Sequence, residues 1–115
     1  MNAAMTPDPT TLSAARRFVD ALAGHYQIRQ AWLFGSRARG DYRPDSDLDI
    51  AVLLDGPRAS FLPVKLALDD LAFDVLLETG VHIQPLPLWH DDWETPTRFA
   101  NPHLIEAIRR EGVLL

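Results

Sequence analysis

The sequence predicts a single α/β domain, and three observations carry that prediction. A chain of 115 residues with 47% hydrophobic content supports one core, and is too short for a catalytic domain plus a separate substrate domain. Segments with 3.6-residue apolar periodicity alternate with short, β-rich apolar runs. Two of those runs bracket one polar, glycine-containing segment, Gly35 to Asp47. The expected domain covers residues 10–115, after a Pro-broken and disordered start over residues 1–9.

The elements follow in order. Thr10 or Thr11 is placed to cap a first helix in which Leu12, Ala15, Val19, Leu22 and Ala23 share a face, ending near Gly24. Residues 28–34, IRQAWLF, suit a mostly buried strand stopped by Gly35-Ser36. The polar stretch RARGDYRPDS then leads into a second buried strand, LDIAVLLDG, residues 48–56, closed by an Asp-Gly-Pro turn. From Phe61 to Thr79, Val64, Leu68, Leu71, Ala72 and Val75 keep helical spacing, and Gly80 supplies the stop. Leu62, Leu66, Phe73 and Leu77 extend the apolar surface of this helix beyond one stripe. Either both sides are covered within the fold, the simpler expectation, or one side meets another chain.

The run VHIQPLPLW alternates like a strand, but Pro85 and Pro87 cannot donate ladder bonds, so its first half is the secure part and a strand end or edge is expected. Asp91 to Asn101 reads as a loop. Asn101 before Pro102 starts a last helix with Leu104, Ile105 and Ile108 inward and Gly112 as its stop before VLL.

Composition excludes several function classes. Without cysteine there is no disulfide framework, thiolate zinc site or thiol redox chemistry. No apolar stretch approaches membrane-spanning length and the N-terminus lacks a secretory pattern, so a cytoplasmic location is expected. The net charge of −5 disfavours nucleic acid as a partner, although Arg37, Arg39 and Arg43 form a local cluster able to hold one small phosphate group.

The polar segment carries the chemistry. Residues two apart at a strand start point the same way, so Asp47 and Asp49 present both carboxylates to one site while Leu48 turns inward. Magnesium prefers such oxygen ligands. Gly35 lets the backbone approach a triphosphate closely, Ser36 donates to phosphate oxygens, and Arg37 and Arg39 add positive charge. Arg43 and Asp45 suit a local turn, and Tyr42 a partly buried loop position or a platform for a base.

Gly-Ser, ten residues, then Asp-x-Asp, with Arg-Ala-Arg-Gly after the serine, resembles the signature of the DNA polymerase beta nucleotidyltransferase superfamily, and most of all its minimal nucleotidyltransferases. The resemblance implies a mixed sheet flanked by helices. It also implies transfer of a nucleoside monophosphate, AMP from ATP or the corresponding group of another nucleoside triphosphate, to a hydroxyl, with Mg2+ or Mn2+ held by Asp47 and Asp49. Similar minimal domains are commonly the antitoxins of two-gene modules. Their partner is a helical HEPN-type RNase toxin, which they modify on tyrosine. A homo-oligomer is also compatible with the sequence.

The chain departs from that family at the third carboxylate expected on a later strand. The corresponding strand offers His82 and Gln84 and no acid, so His82, or Gln84 in another register, takes that position. Asp74 and Glu78 lie on the long helix, where exposed acids are the rule. His25, His90 and His103 lack ligand spacing, and Asp91, Asp92 and Glu94 with Trp89 and Trp93 read as a capped, solvated turn. Two further readings stay open: a module that neutralises a partner by contact alone, and a nucleotide sensor that binds without transfer.

Overall fold

A computed structural model of the chain describes residues 7–96 and 101–115. Helix α1 (Pro9–Ala23) begins earlier than expected, because Asp8 rather than Thr10 or Thr11 is its N-cap and accepts from the Thr11 amide at 3.1 Å. Of the expected N-terminal extension, residues 1–6 lie outside the described residues. The inward stripe is Thr11, Ala14, Ala15, Phe18 and Leu22, while Ala23 is exposed and Leu12 only partly covered. The stripe is rotated toward Phe18, whose ring removes far more apolar area from water than Ala23.

Four strands form one mixed sheet in the order β3-β2-β1-β4. Strand β1 (Ile28–Phe34) runs antiparallel to β2 (Leu48–Leu54). Between them, the first residues of the polar segment form a short helix, α2 (Ser36–Arg39), where a loop was expected. Helix α3 (Phe61–Thr79) is the crossover that lets β3 (Ile83–Trp89) pair parallel with β2. Strand β3 continues through both prolines. The His82 carbonyl accepts from Leu48 N at 2.9 Å, so even-numbered residues turn their backbone groups toward β2. Pro85 and Pro87 face the open edge, where a missing N–H removes no ladder bond.

The central strand divides the core. Leu48, Ile50, Val52 and Leu54 pack under α1 and α3 against Phe18, Leu22, Leu68, Ala72 and Val75. Ala51 and Leu53 face the opposite side, where helix α5 (Pro102–Glu111) supplies Ile105 and Ile108. Asn101 caps α5, accepting from Leu104 N at 3.3 Å. After Gly112, the chain adds strand β4 (Val113–Leu114), opposite Trp32 and Leu33 of β1, which the short VLL tail did not announce.

The expected loop at Asp91 opens instead as helix α4 (His90–Glu94). Asp92 is buried rather than solvated: it accepts from Trp89 N at 3.0 Å and is paired with Arg58, while Trp93 packs on Trp32 at 5.6 Å. Residues 97–100 of that stretch lie outside the described residues. On α3, Leu62, Leu66, Phe73 and Leu77 are exposed, so the expectation that the fold covers both sides of this helix is overturned.

Candidate active site

Sheet register brings the glycine turn and the acid pair together. Phe34 lies opposite Asp49 in the β1–β2 ladder, so the chain leaving β1 through Gly35 and Ser36 passes directly beside Asp49 and Asp47. Gly35 adopts φ 76°, and a Cβ built there would sit 2.3 Å from Asp49 Oδ2. Glycine is therefore required twice over, by the backbone conformation and by the carboxylate against it. Beyond it, Ala38 N and Arg39 N both donate to the Gly35 carbonyl at 3.1 Å. The amides of Ser36 and Arg37 precede these bonds and have no intrahelical acceptor, which suits them to phosphate oxygens alongside the Ser36 hydroxyl.

Asp47 and Asp49 differ in setting. The Asp47 side chain is 49% exposed, whereas Asp49 is half-buried in the sheet. Burial pushes the Asp49 carboxyl above its ordinary value, the nearby negative Asp47 adds to this, and Arg39 opposes it. Two like charges in a half-dry site favour a cation between them.

The two arginines of the motif separate. Arg39 is 44% exposed, interacts with Asp41 at 3.2 Å and Glu111 at 3.7 Å, and acts electrostatically on Asp49. Arg37 is buried and all three guanidinium nitrogens donate within the protein: to Ser46 O at 3.0 Å, Thr11 Oγ1 at 2.9 Å and Pro44 O at 3.3 Å. Its side chain thus braces the loop, a correction to the expectation that it screens phosphate charge. Only its amide is left for that task.

Tyr42 is likewise structural. Its hydroxyl donates to Asp8 Oδ1, and the Arg37 guanidinium lies 4.6 Å from its ring centre and takes one face of the ring. Asp8 also accepts from Thr11 Oγ1 at 2.5 Å. Burial works to raise its pKa, but the bonds from Thr11 and Tyr42 prevail and hold it at about 2. The Arg43 amide donates to Ser46 Oγ at 2.8 Å and its carbonyl accepts from Ser46 N at 2.9 Å, forming the expected local turn.

Strand β3 and the residue before it carry both candidates for the position of the missing acid. Asp49 lies opposite Gln84, and His82, two residues earlier on the same face, reaches Asp47, with Nδ1 2.9 Å from Oδ1. Among the described residues no group of three His, Asp or Glu side chains is arranged to hold a metal ion. A magnesium site using one or two carboxylates plus substrate phosphates and water still fits this donor set, because both Asp47 and Asp49 offer hard oxygen beside an approachable backbone. Glu78 is engaged by Arg17 of α1 at 2.7 Å, and His90 contacts Arg29 at 2.8 Å, so neither joins the site.

Sequence reasoning missed the brace formed by Asp8, Thr11 and Arg37. No local signal announced it, because α2 was expected to be loop and Thr11 lies 26 residues before Arg37.

A protein of Methanocaldococcus jannaschii, provisionally named a protein adenylyltransferase, is 48% identical over 44 residues, which cover 36% of this chain and 44% of the relative. The chain thus spans less than half the length of that relative in the match. A solved structure from Sulfolobus solfataricus, provisionally titled a nucleotidyltransferase, aligns over 96% of this chain and 89% of its own, with 19% identity and a TM-score of 0.48. The family model for the nucleotidyltransferase domain matches residues 15–115, most of the chain, with Gly35, Asp47, Asp49 and His82 inside the match, and the protein belongs to that family.

Proposed function

We propose that this domain is a metal-dependent nucleotidyltransferase that moves AMP from ATP onto a hydroxyl, with a tyrosine of a helical partner toxin as acceptor and neutralisation of that toxin as the outcome. The observation that carries the reading is the register that sets the Gly35 turn against Asp49. Asp47 and Asp49 hold Mg2+ or Mn2+, which supplies charge neutralisation at the phosphates when bound. The amides of Ser36 and Arg37 and the Ser36 hydroxyl orient the triphosphate, and Arg39 screens its charge.

His82 serves as base rather than metal ligand. An ionised Asp47 can only accept, so in the neutral imidazole His82 Nδ1 carries the proton and Nε2 is left as an acceptor. The acceptor oxygen attacks the α-phosphorus and gives its proton to Nε2. The bond from that phosphorus to the bridging oxygen breaks, and pyrophosphate leaves with the electron pair.

Incubation with α-labelled ATP, magnesium and the partner should give label on the partner, lost in Asp47→Ala and Asp49→Ala. His82→Ala should lower the rate while leaving ATP affinity unchanged. If no label transfers and the Asp variants still neutralise the partner, catalysis is the wrong account. That no three-ligand metal group occurs among the described residues favours one alternative, a sensor that binds ATP without releasing pyrophosphate, which calorimetry with a pyrophosphate assay separates from transfer.

A further inference from the structure

The acid pair has a third neighbour on the sheet. Gln84 lies opposite Asp49 in the parallel β2–β3 ladder, so its side chain leaves the sheet on the same face, about 5 Å away. His82, two residues earlier, is turned to Asp47. The cross-strand position beside Asp49 therefore carries a half-buried amide, which has hydrogen-bonding capacity and no charge.

Charge decides what this arrangement can hold. Asp47 Oδ1 is engaged by His82 at 2.9 Å, and Asp49 Oδ2 lies against the Gly35 backbone, where an added Cβ would be 2.3 Å away. A cation between the acids is thus most readily offered one oxygen of each, and phosphate and water must fill the rest of an octahedral shell. Magnesium sheds its hydration water reluctantly, and cation affinity rises with the number of charged oxygens supplied. A triphosphate brings several of them to the same place. A carboxylate at position 84 would bring one permanently, but it would add a third negative charge where burial and Asp47 already push the Asp49 carboxyl up.

We infer that Gln84 makes cation capture conditional on the nucleotide: the site takes up magnesium or manganese together with the triphosphate and not ahead of it. This order of filling rests on the proposed function and extends it. Gln84 acts by the charge it withholds, and its amide is not itself a ligand. Linkage makes the effect reciprocal, so the cation strengthens triphosphate binding by the same factor as the triphosphate strengthens cation binding.

Equilibrium dialysis of the full chain against manganese, with and without a non-hydrolysable ATP analogue and compared at matched free concentrations, reads the order directly. The parent should bind manganese at least about tenfold more tightly with the analogue than without it, and the analogue should gain by the same factor from manganese. Gln84→Asp should bind manganese without the analogue at least about tenfold more tightly than the parent does. Gln84→Ala, equally uncharged, should stay within roughly threefold of the parent in every arm.

A parent that binds manganese as tightly alone as with the analogue would overturn the inference, while analogue binding that survives would leave the proposed function standing. A folded Gln84→Asp that binds manganese no better than the parent would also overturn it. So would loss of the analogue-dependent binding in Gln84→Ala, since the amide would then be a ligand. If neither manganese nor the analogue binds the parent, alone or together, the nucleotide site is wrong and the order of filling falls with it.

Discussion

The polar segment between β1 and β2 has two sides with opposite electrostatic characters. Behind it, Asp8, Thr11, Arg37 and Tyr42 satisfy one another: the guanidinium reaches Thr11 and two loop carbonyls, and Asp8 collects two hydroxyls. In front, Asp49 is partly buried beside Asp47, with only exposed Arg39 in opposition. The carboxyl at the back is held at about 2, while the one in front is pushed up. On the proposed function, a site that would accept a cation keeps its charges unresolved, and the scaffold that holds it resolves its own.

The largest break in this contrast comes from the front. Asp49→Asn should reduce nucleotidyl transfer by more than about a hundredfold. Because the folded pKa of Asp49 is raised, its ionised form destabilises the fold at neutral pH, so thermal melting of this variant should match or exceed that of the parent. A melting temperature well below the parent's would show that Asp49 is structural.

Gly35→Ala strikes both sides at once. Its methyl meets Asp49 Oδ2 and its φ is strained, so a loss of about 2 kcal/mol in denaturant titration together with loss of ATP binding is expected.

The arginines give the sharpest comparison. Arg37→Ala should cost about 3 kcal/mol and melt more than roughly 10 °C lower, since it leaves two loop carbonyls and Thr11 without their donor. Arg39→Ala should leave melting within about 2 °C yet lower transfer roughly tenfold. Reversal of that pattern would exchange the roles assigned here.

The smallest effect is Tyr42→Phe, about 1 kcal/mol in denaturant titration. Its pH signature is distinctive. The Asp8 pKa is lowered, so its contribution is fully present above the ordinary carboxylate value of 3.8 and disappears as pH falls toward about 2. Tyr42→Phe should flatten the acid limb of stability in that window.

Much of this division was legible in the residues and some was not. Local patterns located β1, α3 and the α5 cap, because each depends on neighbours a few residues away. Asp47 and Asp49 followed from strand alternation. The role of Arg37 did not, since it depends on Thr11, 26 residues earlier in the chain. Strand β4 was also invisible: two residues carry no periodicity, and only the partner strand β1 defines them. Pro85 and Pro87 misled locally because a proline in a strand is tolerated or not according to which way its nitrogen points, and that is fixed by the neighbouring strand.

Those prolines have a further consequence. An outermost strand with free amides is a template on which other chains can stack into fibrils, and β3 carries an apolar stretch of the kind that invites it. Pro85 and Pro87 take two donors from that rim, and at the other margin β4 is only two residues long. Both margins of the sheet therefore resist lateral growth.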